Sequence, residues 1–160
     1  MVCGYDIASM LCGVARRRHG LYDRLTDFKI EKRFKTMNDN YFNEVKEKWG
    51  NTEAYAEFAD KTKGYSRERF DAVNAGLDSI MREFCKYMNS SKEPNSEEAQ
   101  KLVGKLQKYI TDNLYTCTDD ILNSLGQMYI ADERFKTNID KHGKGTAEYI
   151  SKAILNYCNK

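Results

Sequence analysis

Apolar residues recur at intervals of three and four along most of the chain, and polar breaks cut that rhythm into separate segments. Tyr41, Val45 and Trp49 are spaced by four behind Asn38 or Asn40 as a cap, and Gly50 ends the segment. Thr52 opens the next helix, with Tyr55 and Phe58 inward and Gly64 at its close. Ser66 starts the longest stripe, Phe70, Val73, Leu77, Ile80, Met81, Phe84 and Met88, a run too continuous to be anything but a core face. The stretch Ser90 to Asn95 holds the single proline and reads as a turn between packed helices. Ser96, followed by Glu97 and Glu98, starts a helix bearing Leu102, Val103, Leu106, Tyr109 and Ile110. The rhythm fails over Leu114 to Cys117. It resumes after Thr118 with Leu122, Leu125, Met128 and Tyr129, stops at Asp132, and continues with Phe135 and Ile139. Gly143-Lys144-Gly145 separates a last helix carrying Ala147, Ile150, Ile154 and Tyr157.

No run of β-branched residues alternates at period two, and helix formers dominate, so the pattern predicts an all-α bundle of about six to seven helices. At 160 residues the chain suffices for one compact domain with a core. No apolar stretch approaches the roughly 20 residues that span a bilayer, and the first residues lack a signal-peptide pattern, so a cytoplasmic protein without membrane contact is expected.

Charge divides the chain at residue 36. Residues 1–36 carry eight basic side chains (Arg16, Arg17, Arg18, Arg24, Lys29, Lys32, Arg33 and Lys35) and four acids (Asp6, Asp23, Asp27 and Glu31), so of the net charge of +2 this segment contributes +4 and the remainder −2. A slightly acidic body lacks the concentrated basic face that phosphate binding needs. Residues 1–36 are therefore read as an N-terminal extension and residues 37–160 as the folded domain.

Catalytic and metal chemistry find little material. Five cysteines at 3, 12, 85, 117 and 158 form no C-x-x-C pair, and His19 and His142 are the only histidines. There is no G-x-S-x-G elbow, no H-E-x-x-H helix and no phosphate loop, since no glycine stands at the required spacing before Gly143-Lys144. No catalytic residue, metal or cofactor is expected. The aromatic load, eleven tyrosines and seven phenylalanines, is the unusual feature. Tyrosine joins a flat apolar face to a hydroxyl, which suits flat, partly polar ligands, although for any single tyrosine core packing is the commoner role. Tyr115, Met128, Tyr129 and Phe135 gather around one irregular break, which admits either core or the wall of a pocket.

Ordered blocks of residues carry a family resemblance. Trp49-Gly50-Asn51-Thr52-Glu53-Ala54-Tyr55, Tyr65-Ser66, Tyr115-x-Cys117 and Leu125-Gly126-x-Met128-Tyr129-x-Ala131-Asp132-x-Arg134-Phe135-x-x-Asn138-Ile139-Asp140 closely resemble the TipAS antibiotic-recognition domain, the C-terminal effector domain of some MerR-family transcription regulators. The resemblance implies a globin-like fold that binds bulky hydrophobic antibiotics such as thiopeptides in a cleft, with N-terminal helices that order around the ligand. Carried onto this chain, it points to Tyr115, Cys117, Ile121, Ser124, Leu125, Met128, Tyr129 and Phe135 as cleft residues, and to Tyr41 and Trp49 as residues closing over the ligand. In the best-known members a cysteine before the Leu-Gly pair captures the antibiotic covalently. Here Ser124 holds that position, and a hydroxyl without an adjacent base is a poor nucleophile, so reversible binding is expected. Cys12-Gly13-Val14-Ala15-Arg16-Arg17-Arg18-His19-Gly20-Leu21-Tyr22-Asp23 resembles, loosely, the second half of a MerR-type helix-turn-helix. The wing and long dimerising helix that should follow are missing, so the segment reads as a degenerate remnant, and DNA binding is not expected from this chain alone. The alternative to a drug-binding domain is a helical protein-interaction module whose aromatic cleft takes a peptide.

Overall fold

The computed structural model describes residues 50–159. Six helices run through them: α1 (Glu53–Thr62), α2 (Arg67–Asn89), α3 (Glu97–Asn113), α4 (Asp119–Ala131), α5 (Glu133–Asp140) and α6 (Thr146–Cys158). No strand occurs among the described residues, which are all-α, as the periodicity predicts. The helix expected over Tyr41 to Trp49 and the extension over residues 1–36 lie outside the described residues.

Five helices begin on the side-chain caps that the sequence offers. Thr52, Ser66, Ser96 and Thr118 each accept the amide three residues on, and Asp132 accepts that of Arg134, so each supplies an acceptor to a helix terminus that would otherwise leave donors unpaired. Asp132 has a double role, because its extended backbone (φ −105°, ψ 115°) both ends α4 and caps α5. The sixth start is different. Asp140, in the last turn of α5, reaches across the loop to accept from Ala147 N (2.8 Å) and Gly145 N (3.2 Å). Gly145 sits at φ +91°, a left-handed conformation that suits glycine and lets the chain reverse directly into α6. At the other boundary the chain leaves α1 after Thr62, before Gly64 is reached.

The framework is α2, α3, α4 and α6, with α5 folded over the end of the α4–α6 pair. Val73, Leu77, Ile80, Met81 and Phe84 from α2 are buried against Leu102, Val103, Leu106 and Ile110 from α3 and Ala147, Ile150, Ala153 and Ile154 from α6. Each of the larger side chains among them contributes about 1.5–3 kcal/mol by leaving water. Cys158 Sγ lies 3.4 Å from the carbonyl of Asp119, and Gly126 faces Ile154 midway, so α6 runs antiparallel to α4. A Cβ at Gly126 would stand 3.1 Å from Ile154 Cγ2, so the missing side chain is what lets these helices approach so closely.

Polar groups fasten the connections. Gln100 Nε2 donates to Pro94 O (2.8 Å) and Ala153 O (3.0 Å), tying the α2–α3 turn and α6 to α3. The α5–α6 loop is latched to α2 by Asp78, whose Oδ1 lies 2.7 Å from Lys141 Nζ and 2.9 Å from His142 Nε2, and by the Cys85 thiol, which donates to His142 O at 3.0 Å. His142 therefore serves a helix-connecting loop. None of the described helices is long and apolar enough to cross a membrane.

Candidate functional site

The break in periodicity between α3 and α4 becomes an arch, Leu114 to Thr118, that leads into the N-terminus of α4. An arch of this kind exposes backbone groups to the interior and must find partners for them. Cys117 N donates to Thr111 Oγ1 (3.1 Å), and Gln107 Nε2 donates both to Cys117 O (3.0 Å) and to Asp119 Oδ1 (2.7 Å). On the other side Glu57 of α1 accepts from Thr116 N (2.9 Å) and Thr116 Oγ1 (2.8 Å). Thus held, the arch turns Leu114, Tyr115 and Cys117 into the interior while Thr116 stays exposed.

Seven of the predicted residues of this region belong to the core or pack against it, and Ser124 does not. Tyr115, Cys117, Leu125, Tyr129 and Phe135 are buried, Ile121 and Met128 are half-buried, and Ser124 is exposed on α4. The Tyr129 and Phe135 rings tilt against each other across the α4–α5 corner with centroids 6.1 Å apart. Tyr41 and Trp49 lie outside the described residues. Tyr129 Oη is fully enclosed and has no hydrogen-bond partner among the described residues, which costs on the order of 1–3 kcal/mol. Burial also drives its ionisation well above the usual tyrosine range, with the Cys117 thiol adding to the effect. Tyr115 is shifted the same way, by burial first and then by Cys117 and Tyr129. Both phenols therefore remain neutral hydrogen-bond donors.

Neither candidate nucleophile is activated. Burial, with smaller contributions from Cys158 and Asp119, pushes the Cys117 thiol up to about 12, so almost no thiolate is present near neutral pH. The Ser124 hydroxyl donates back to Asp120 O at 2.9 Å, within its own helix. Among the described residues no group of three or more His, Cys, Asp or Glu side chains is placed to hold a metal ion. The protonated phenols of Tyr115 and Tyr129 and the Cys117 thiol are thus packed among apolar side chains of the core.

The TipAS antibiotic-recognition domain model matches residues 41–157. The chain belongs to that family. Among curated relatives, the HTH-type transcriptional activator TipA of Streptomyces coelicolor is 37% identical over 117 residues, covering 73% of this chain and 46% of TipA. The HTH-type transcriptional activator mta of Bacillus subtilis is 35% identical over 119 residues, covering 74% of this chain and 45% of mta. The chain thus spans a little under half the length of these relatives. Among solved structures, the complex of nosiheptide with TipAS from a thiopeptide antibiotic multidrug resistance system of Streptomyces lividans superposes with a TM-score of 0.70 at 34% identity, over 81% of this chain and 91% of that one. The antibiotic-binding domain of a TipA-class multidrug resistance transcriptional regulator superposes with a TM-score of 0.52 at 30% identity, over 59% and 96%.

Within the TipAS domain, the groups that support the arch were not readable from sequence. Glu57 lies 59 residues from Thr116, and neither residue belongs to an apolar stripe or caps a helix. Gln107 and Thr111 carry one partial signal: on α3 they sit four residues apart, on one face, close to where the periodicity fails.

Proposed function

We propose that residues 37–160 form a drug-sensing or drug-sequestering domain of a cytoplasmic MerR-type regulator. It binds bulky hydrophobic antibiotics of the thiopeptide or a related class reversibly, without chemistry on the ligand. The observation that carries this reading is the likeness, at 34% identity over most of both chains, to TipAS in complex with nosiheptide. The site is assigned to Tyr115, Cys117, Ile121, Ser124, Leu125, Met128, Tyr129 and Phe135, with Tyr41 and Trp49 closing over the ligand.

Two features of the corner support it. The unpartnered Tyr129 hydroxyl is a donor that an acceptor on a ligand would satisfy, recovering part of the burial cost. The protonated Cys117 thiol and the self-bonded Ser124 hydroxyl leave no competent nucleophile at this corner, which accords with reversible capture. Since five of the assigned residues are buried, ligand entry requires the corner to open, and affinity is reduced by that rearrangement.

Titration with nosiheptide, read by the fluorescence of Trp49 and by intact mass, tests the reading. The expected outcome is a saturable fluorescence change with no mass adduct. Ser124→Cys places an exposed thiol at the position where the best-known members carry their capturing cysteine, and this variant is expected to gain one antibiotic mass. No fluorescence response across nosiheptide and other bulky antibiotics refutes the assignment.

A further inference from the structure

Helix α1 meets the rest of the domain in two ways. Tyr55 and Phe58 insert into the core, and the polar face of the helix grips the arch before α4. Glu57 accepts both donors of Thr116, and Lys61 Nζ, 3.8 Å from Glu57 Oε1, donates to Thr111 O at 2.6 Å. Thr111 is in turn the residue whose hydroxyl accepts the Cys117 amide. Just beyond α1, Tyr65 Oη donates to Asn113 O (2.8 Å) and Arg69 to Asn113 Oδ1 (2.8 Å). All these bonds fall on one short stretch, residues 111–117, and that stretch carries Tyr115 and Cys117.

Thr116 stands between those two residues. A carboxylate holding its amide and its hydroxyl fixes the orientation of this unit, and with it the directions in which the neighbouring side chains enter the interior. We propose that Glu57 is a positioning residue for ligand recognition. It couples the docking of α1 to the assembly of the pocket wall made by Tyr115 and Cys117, although it touches neither side chain through these bonds. This inference rests on the reading that the Tyr115–Tyr129 corner receives the ligand.

Hydrogen exchange of the ligand-free protein, combined with nosiheptide titration, tests it on the wild type, Glu57→Ala and Glu57→Gln. Glu57→Ala is expected to speed exchange about tenfold in residues 53–62 and 114–118 while α2, α4 and α6 keep their protection, and to weaken nosiheptide binding at least fivefold. Glu57→Gln keeps an oxygen for the Thr116 amide and can donate to its hydroxyl, so it is expected to stay within about twofold of wild type. Unchanged exchange in Glu57→Ala, uniform acceleration through all helices, or local acceleration with wild-type affinity each overturns the proposal. If the wild type itself does not bind nosiheptide, the antibiotic reading fails, and the exchange pattern alone then decides whether Glu57 holds the arch.

Discussion

The α2–α3–α6 framework and the α1–arch contact are fastened by different physics. In the framework, aliphatic and aromatic side chains from three helices fill one interior, with the Phe84 and Tyr149 rings edge-on at 6.4 Å. Around the arch, partly exposed polar groups contribute most of the named ties, with the Glu57 and Lys61 side chains retaining about a third of their exposure. Burial energy scales with area and is lost only when the whole interior opens, whereas an exposed hydrogen bond exchanges with water one partner at a time. The polar ties around the arch can therefore be loosened one at a time, while Leu114 and Tyr115 of the arch and Tyr55 and Phe58 of α1 share the fate of the common core. In the proposed function, breaking those ties would let the wall carrying Tyr115 shift for a large ligand while the rest of the core stays folded.

That contrast can be broken from either side. Leu106→Ala removes a fully buried side chain from the framework and is expected to cost about 2–5 kcal/mol, read as a lower midpoint in urea denaturation; a loss under 1 kcal/mol would mean the interior closes over the gap. Asp78→Asn attacks a polar tie instead. Burial raises the Asp78 carboxyl, but the hydrogen bonds and charges of Lys141 and His142 outweigh it, and the net shift is downward. A carboxyl lowered in the folded state contributes stability that is complete above its unfolded value of about 4 and is lost as pH falls through the folded value. The variant should therefore be about 1 kcal/mol less stable than wild type at pH 7, with the gap narrowing below pH 4. A gap independent of pH would show that the charge is not what holds the loop. Tyr129→Phe is the smallest and most discriminating change. Removing a buried hydroxyl that has no partner should leave stability unchanged or raise it by up to about 1 kcal/mol, while nosiheptide affinity falls. Lost stability would reveal an interaction that the hydroxyl makes in solution.

What could be read along the chain follows the range of the forces involved. The caps at Thr52, Ser66, Ser96, Thr118 and Asp132 and the stripe from Val73 to Phe84 act within one helix, so their signals stand within a few residues of one another. The break at Leu114 to Cys117 was visible for the same reason. The groups that bridge it, Glu57 and Lys61, act across 59 and 50 residues and leave no periodic mark. Asp140 capping α6 escaped notice because the sequence before Thr146 offers only Gly143-Lys144-Gly145, and the acceptor comes from the previous helix. At the site, the grouping of Tyr115, Met128, Tyr129 and Phe135 could be anticipated from the one irregular break. The near-complete enclosure of Tyr115 and Tyr129 could not, since it depends on how several helices close around them.

Asp132 gives the corner a mechanical character. With a single residue between the two helices, closing one and capping the next, the joint between α4 and α5 contains little spare chain to absorb a displacement. A displacement of Phe135 on α5 is therefore expected to bear directly on the Asp132 cap and on the C-terminal end of α4. Because Gly126 seats α4 directly on Ile154, α4 in turn rests on α6.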